Sequence, residues 1–199
     1  RTPAAVDLVL STRRLDRLVA HEYADLTATV QAGAKLVDVN RALAAHGQFL
    51  PLESAFDDAT IGGAIATNDS GPLRHRYGAP RDVLIGIRVA LCDGRVVKAG
   101  GNVVKNVAGY DIGRLMSGSF GSLAFIASAT FKLSPLPRAT STVVADFVDP
   151  SALLRAVGAV GSSQLEPAAF DLRAQSTTGG GRLLLRFEST PRALAAHVT

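Results

Sequence analysis

Cysteine is nearly absent: Cys92 is the only one in the 199-residue chain. A single thiol cannot close an internal disulfide or build a thiolate metal cluster, so both are excluded, and a reducing, cytoplasmic setting fits best. Cys92 itself falls in an apolar strand pattern and reads as inert core. Long apolar runs are missing too. Every hydrophobic stretch is broken within about ten residues, short of the roughly 20 that a membrane-spanning helix needs. The chain opens on Arg1 without the charged-then-apolar layout of a signal peptide, which suggests an excised fragment. Basic residues are not interleaved with aromatics in the manner that nucleic-acid binding requires. The histidines show no metal-ligand spacing; His21, His46 and His197 fall near expected hairpin or helix ends and read as solvated surface.

What the chain has is apolar mass, 47% of residues against 19% charged, the balance of a packed globular protein. Its length allows one good-sized domain, or one domain and part of another. The net charge of +4 comes far more from Arg than from Lys, which suits an anionic ligand or an acidic partner.

The pattern of "DLVLST" (7–12) predicts a strand. "LDRLVAH" and "LTATVQAG" predict a hairpin across Glu22-Tyr23-Ala24-Asp25. "KLVDVNRALAAHG" places Leu36, Val39, Leu43 and Ala44 on one helical face, with His46-Gly47 as the stop. "QFLPL" is a short buried strand, and "DVLIGIRVALCDGRVVKAG" a long hairpin turning at Asp93-Gly94. "DIGRLMSGS" is a short helix with Asp111 as its N-cap, and "SLAFIASATFKLSP" a strand halted by Pro135 and Pro137. From about Thr140 the order changes to strand, helix, strand, strand and helix start, linked at Gly179-Gly180-Gly181. That βαββα order is most of a ferredoxin-like unit, so a domain boundary is expected near Pro137.

One stretch fits neither core nor ordinary loop: "ATIGGAIATNDSG" (59–71). A backbone stripped of side chains can approach a ligand closely and offer it N–H groups. Gly62 and Gly63 open a short helix-like run whose N-terminal amides would be free for an anion, with Asn68 and Ser70 adding polar groups near its other end. Taken alone, the stretch reads equally as tight packing of two elements. Its neighbours, "RHRYGAPRDVLIGIRVALCDG" and "KNVAGYDIGRLMSGSFGSLAFIASATFKL", complete an ordered set. Over roughly residues 5–137 this set resembles the FAD-binding domain (PCMH type) of the vanillyl-alcohol oxidase superfamily. Most is shared with the smaller FAD-domain subunit of bacterial glycolate oxidase.

The resemblance implies an α+β fold. Residues 1–137 are the second subdomain of a PCMH-type domain, a mostly antiparallel sheet with flanking helices, and 138–199 a partial ferredoxin-like cap. It implies that Pro51, Thr60, Ile61, Gly62, Gly63, Thr67, Asn68, Ser70 and Gly71 line FAD, and that Phe125 and Ile126 meet it through backbone groups. The family's Gly-rich pyrophosphate loop would precede Arg1, so residues 1–199 by themselves are expected not to retain flavin. The segment "GSFGSLAFIASATF" departs from relatives that carry a small residue, Val or Ile and then Thr-Glu there, which alters the wall beside the cofactor. Lys105, Asn106, Tyr110 and Asp111 match the family's "KN..GYD" and read as structural. Arg74-His75-Arg76-Tyr77 reads either as a flavin- or carboxylate-facing turn or as a solvated basic turn with Tyr77 packed on it.

No nucleophile-base pair stands out, and no catalytic or metal-ligating residue is assigned; flavin chemistry is carried by the ring. Past Pro137 there is no His/Glu cluster of the sort that larger relatives place in their caps. The implied role is therefore an FAD-binding subunit of a 2-hydroxy-acid (glycolate-type) oxidase complex. It would be accessory or electron-transferring, beside a larger catalytic flavoprotein and an iron–sulfur subunit, and peripheral to the membrane only through those partners. A flavin-free structural or interaction module of the same fold is the alternative. A self-contained oxidase would need a long downstream cap.

Overall fold

The structure, a computed structural model, describes residues 6–101, 111–174 and 180–197. Strands β1 (Leu18–Glu22) and β2 (Thr27–Gln31) form the expected hairpin across a 3-10 turn at Tyr23–Asp25, which Leu26 closes in a left-handed conformation (φ 54°). Helix α1 (Leu36–Ala44) buries Leu36, Val39 and Leu43. Ala44, expected on the same face, is exposed, because it lies about 80° around the helix from Leu36. Asn40 turns inward instead. Its amide accepts from the Leu50 N–H at 2.7 Å and donates to the Leu50 carbonyl at 3.2 Å, fastening the helix to the segment after it.

The two-residue strand β3 (Gln48–Phe49) is followed by buried Leu50, Pro51 and Leu52. Helices α2 (Ile61–Thr67), α3 (Arg74–Tyr77) and α4 (Pro80–Val83) then lead into β4 (Leu84–Ala90) and β5 (Val96–Gly100), a hairpin turning through Asp93-Gly94 as expected. In α5 (Ile112–Met116) the Asp111 carboxylate accepts from the Arg114 N–H at 2.9 Å, the expected N-cap. Lys105, Asn106 and Tyr110 lie outside the described residues. Strand β6 (Phe125–Lys132) runs down the middle of a five-stranded sheet, β1-β2-β6-β4-β5, in which every pair is antiparallel. β7 (Ser134–Pro135) pairs with β3. Val30, Val89 and Phe131 of the sheet, Leu43 of α1 and Ile61 and Ile65 of α2 meet in one core. Complete burial of side chains of that size stabilises by about 1.5–3 kcal/mol each.

Residues 7–12 form no strand, against expectation. Leu8, Val9 and Leu10 are consecutive apolar residues, not an alternating set. No described strand lies alongside, and they stand 73%, 80% and 62% exposed. Cys92 is likewise misplaced by its apolar neighbours: β4 ends at Ala90, and Cys92 sits exposed in the turn that follows.

A second sheet is built wholly from residues after Pro137: β8 (Ala139–Phe147), β9 (Ala169–Ala174) and β10 (Gly181–Ser189), in the order β8-β10-β9. Helix α6 (Pro150–Ser162) connects β8 to β9, and α7 (Pro191–His197) follows β10. Asp149 caps α6, accepting from the Ser151 and Ala152 amides. Leu153 and Leu194 of the two helices cover Leu183, Leu185 and Phe187 on one face of the sheet. This is the expected βαββα order, with β10 inserted between the strands that α6 joins. The fold class is the one the sequence implied: antiparallel sheets with flanking helices.

Candidate functional site

The glycine stretch begins where the chain after β2 passes α2. Thr60 is the N-cap of α2, and its hydroxyl accepts from the Gly63 N–H at 3.2 Å. The Ile61 N–H donates to the Ala34 carbonyl at 2.9 Å and the Gly62 N–H to the Ala32 carbonyl at 2.7 Å. The first three amides of the helix are therefore satisfied from within the chain. The expected anion site at this helix start is not there, and the tight-packing reading holds for Gly62. A Cβ on Gly62 would lie 2.8 Å from the Ala32 Cβ and 3.0 Å from its carbonyl oxygen. Gly63 differs: a Cβ there would meet only the Thr60 hydroxyl, and the residue lines a cleft.

That cleft, of about 570 Å³, is lined by Thr60, Gly62, Gly63 and Ala66 on one side and by the 121–126 segment on the other, with Ala32, Leu10, Thr12 and the turn Ala90–Cys92 completing it. Its size falls within the roughly 300–1,000 Å³ of small-molecule sites. Its second wall exists because the sheet is interrupted. β2 and β6 pair only as far as Gln31 opposite Ser128, and the Ala32 N–H still reaches the Ala127 carbonyl at 3.0 Å. The chain then leaves, the Gly33 N–H bonding to the Leu15 carbonyl. Phe125 and Ile126 remain paired with Ala90 and Val89 of β4, but on the β2 side no described strand reaches them. A backbone edge thus faces the cleft, where a planar group with donors and acceptors along its rim can pair with it.

The structure brings Thr60, Gly62, Gly63, Phe125 and Ile126 to this one cleft. Thr67 lines a smaller hollow beside it, of about 350 Å³, which shares Thr60 and Gly63 and adds Ser54, Phe56 and Asp58. Ser70 and Gly71 line a third depression with Glu53 and Ser54. Ser54 donates to the Asp69 carboxylate at 2.5 Å and Glu53 accepts from the Leu73 N–H at 2.8 Å, so that segment is held by acidic side chains the sequence reading passed over. Ile61 and Pro51 are buried in the core beneath the site. Asn68 is the left-handed C-cap of α2 (φ 52°). Its Oδ1 and the Ser119 Oγ are buried without a hydrogen-bond partner among the described residues. Atoms left so cost about 1–3 kcal/mol each until a water or ligand group meets them. Ser119 was not singled out by sequence, and no local signal marks it.

FAD fits what is present on two counts: a cleft with an unpaired strand edge, and a cleft-lining glycine at which an added Cβ would meet only the Thr60 hydroxyl. Small apolar walls suit the ring systems, and the side chains there (Thr12, Thr60, Ser122) offer hydroxyls.

Arg74-His75-Arg76-Tyr77 is turned elsewhere. His75 lies against Phe170 of β9, with ring centroids 5.7 Å apart, and Tyr77 packs edge-on against Phe49. The Tyr77 hydroxyl donates to Glu188 Oε2 at 2.7 Å. Burial, then the hydrogen bond and the charge of Glu188, push the Tyr77 pKa up to about 12, with Arg76 and Arg186 opposing. The Glu188 side chain is only 2% exposed. Its other oxygen lies 3.0 Å from Arg186 Nη2, close enough for ion pairing although not aligned as a hydrogen bond. Leu73 and Ala168 complete this joint between the two sheets. The packed reading of Tyr77 is therefore the one observed. His21 and His46 come together on the surface, His46 exposed as expected and His21 half-buried. His46 stacks on Tyr23 and meets His21 edge-on, and His21 Nε2 donates to Gln48, whose amide is oriented by the Tyr23 carbonyl.

Comparison with known proteins gives one consistent picture. The chain is 35% identical over 176 residues to glycolate oxidase subunit GlcD of Bacillus subtilis (strain 168), covering 88% of this chain and 37% of that protein. It is 36% identical over 152 residues to glycolate oxidase subunit GlcE of Escherichia coli (strain K12), covering 75% and 42%. To D-lactate dehydrogenase of Archaeoglobus fulgidus it is 34% identical over 145 residues, covering 73% and 32%. The chain thus spans less than half the length of each of these relatives. A solved structure of alkyldihydroxyacetonephosphate synthase matches with a TM-score of 0.78 at 19% identity, over 94% of this chain and 39% of that one, which shows a shared fold. The model of the FAD binding domain family matches residues 3–111, more than half of the chain. On that match, with the cleft and fold it accompanies, the chain belongs to the FAD-binding domain family.

Proposed function

We propose that this chain is the FAD-binding part of a flavoprotein that oxidises 2-hydroxy acids of the glycolate or lactate type, and that it works as an accessory or electron-transferring unit beside a larger catalytic flavoprotein. Residues 1–137 would hold the cofactor, and 138–199 would be a cap fixed to them through Tyr77 and Glu188. The observation that carries the reading is the cleft in which Thr60, Gly63 and the open edge at Phe125–Ile126 converge. When bound there, FAD would supply the two-electron oxidation of the CH–OH donor. The chain's own residues would bind and orient it. Thr60 offers a hydroxyl, Thr67 lines the adjoining hollow with its own hydroxyl donating to the Gly63 carbonyl, Gly63 keeps the approach clear, and the backbone at Phe125 and Ile126 would pair with a ring edge.

The accessory role is supported by what lines the cleft. Among the described residues its polar side chains are Thr12, Thr60, Cys92 and Ser122, with no imidazole or carboxylate. Oxidation of a hydroxy acid needs a base within hydrogen-bond reach of the departing proton, and His75 packs on Phe170. An iron–sulfur partner and a cytoplasmic location complete the proposal; among the described residues no helix is long and apolar enough to cross a membrane.

The test is an absorption spectrum of the full-length protein, followed by dye reduction with glycolate or lactate by each subunit alone and by the mixture. A stoichiometric flavin band with activity only in the mixture is expected. Robust turnover by this subunit alone would overturn the accessory role. A second reading, a flavin-free module, draws on the internally satisfied amides of Ile61–Gly63, which leave that turn complete without a ligand. A colourless full-length protein that takes up no FAD would establish it.

A further inference from the structure

We propose that Phe120 is an aromatic platform on which one planar ring of the bound dinucleotide stacks, an inference that rests on the FAD-binding reading and deepens it. Phe120 holds a left-handed backbone (φ 52°), a conformation that residues bearing a Cβ adopt rarely and at a cost. Its ring gains no burial in return, since the residue is 77% exposed. A glycine would suit the backbone better, and glycines with positive φ stand at Gly118 (83°) and Gly121 (72°) around it.

The conformation is nonetheless firmly fixed. The Gly118 N–H donates to the Ile65 carbonyl at 3.0 Å and the Phe120 N–H to the Ala66 carbonyl at 2.8 Å, so the loop caps the end of α2. The Ser119 and Ser122 amides close turns onto Met116 and Ser119. Strain at a bulky side chain, held by surrounding bonds and unrewarded by packing, marks a position kept for contact with something else.

Phe120 stands just outside the lining of the candidate cleft, next to residues that belong to it. Phe120 is anchored to Ala66 by its own N–H and to Gly121 by the chain, and both of these residues line the candidate cleft. A Cβ on Gly121 would meet nothing within 4 Å, so the cleft wall is open at that residue. The cleft is lined mostly by aliphatic side chains and glycine, with Thr12, Thr60, Cys92 and Ser122 as its polar side chains and Phe125 as its aromatic one among the described residues. A dinucleotide that extends from the cleft past Gly121 would meet at Phe120 a second aromatic ring beyond Phe125, in an offset or edge-on contact of the usual aromatic kind.

The experiment uses the full-length protein and two variants, Phe120→Gly and Phe120→Tyr, titrated with FAD and with ADP and followed by melting temperature without ligand. Phe120→Gly should keep or raise the melting temperature, because it relieves the left-handed strain, while weakening FAD binding about ten-fold, as expected for a lost ring stack. Phe120→Tyr should bind within about two-fold of the parent, because the ring is retained. A parallel loss for ADP places the adenine on Phe120, and a loss for FAD alone places the isoalloxazine there; either supports the proposal. Unchanged FAD affinity in Phe120→Gly overturns it and leaves the exposed ring as a contact for another protein. A parent protein that takes up no FAD removes the FAD-binding reading itself, and this proposal with it, an outcome recognisable without the variants.

Discussion

At Gly62 a methyl group would press into Ala32, whereas at the cleft-lining Gly63 it would meet only the Thr60 hydroxyl, at 3.1 Å. Two adjacent residues of one type therefore carry opposite expectations. Gly62→Ala should lower folding stability by about 1–3 kcal/mol through overpacking against a buried backbone. Gly63→Val should hold stability within about 1 kcal/mol, since glycine in a helix is itself unfavourable, and should abolish flavin uptake in the full-length protein. Urea denaturation and the flavin absorption band separate the two. If Gly63→Val kept its flavin, the assignment of this cleft would be lost. Gly71 belongs with Gly62: a Cβ there would run into the Glu53 side chain, whose carboxylate holds the Leu73 amide.

Among the elements, α1 depends on one polar residue facing inward. Asn40 answers both the N–H and the carbonyl of Leu50, which is 1% exposed. Asn40→Leu would leave the Leu50 N–H unpaired, while the Leu50 carbonyl keeps the Leu52 N–H at 2.8 Å; the change should cost about 1–3 kcal/mol, read as a lower urea midpoint with an unchanged slope. The parts of the fold that were legible in the sequence are those fixed by nearby residues. Asp93-Gly94 turns the β4–β5 hairpin, Asp111 caps α5, and the βαββα order after Thr140 follows from short-range periodicity. Local pattern failed where a distant partner decides. Residues 7–12 carry strand-forming side chains but have no described strand beside them, and Cys92 follows apolar residues yet lies one turn past the end of β4. The glycine stretch was half legible. Its helix and its close approach were readable, but the partners of its amides, Ala32 and Ala34, lie about thirty residues upstream and come alongside only through the fold.

For the whole molecule, the Tyr77–Glu188 hydrogen bond ties the second sheet to the first unit, and its chemistry sets a pH limit. Because the hydroxyl's pKa in the fold is raised from 10 to about 12, it is the protonated form that the fold favours. The stabilisation is complete below pH 10 and is lost as pH rises through about 12. Melting temperature should fall over that window in the parent. In Tyr77→Phe it should start lower, with Glu188 deprived of its donor, and show a smaller alkaline decline. Equal declines in the two proteins would remove Tyr77 as the cause.

The interrupted sheet has a consequence for how binding and folding are linked. Between the departure of β2 at Gln31 and the start of β6 at Phe125, the cleft occupies a place that a continuing strand would otherwise fill. Any molecule that settles there completes the sheet as well as being held by it, so occupancy becomes a term in the folding equilibrium. A ligand at a hundred times its dissociation constant adds about 2.7 kcal/mol to stability when only the folded form binds it. In the full-length protein, saturation should therefore raise the melting temperature in proportion to the logarithm of free FAD, and slow exchange of the β6 amides with solvent most at the Phe125–Ile126 end.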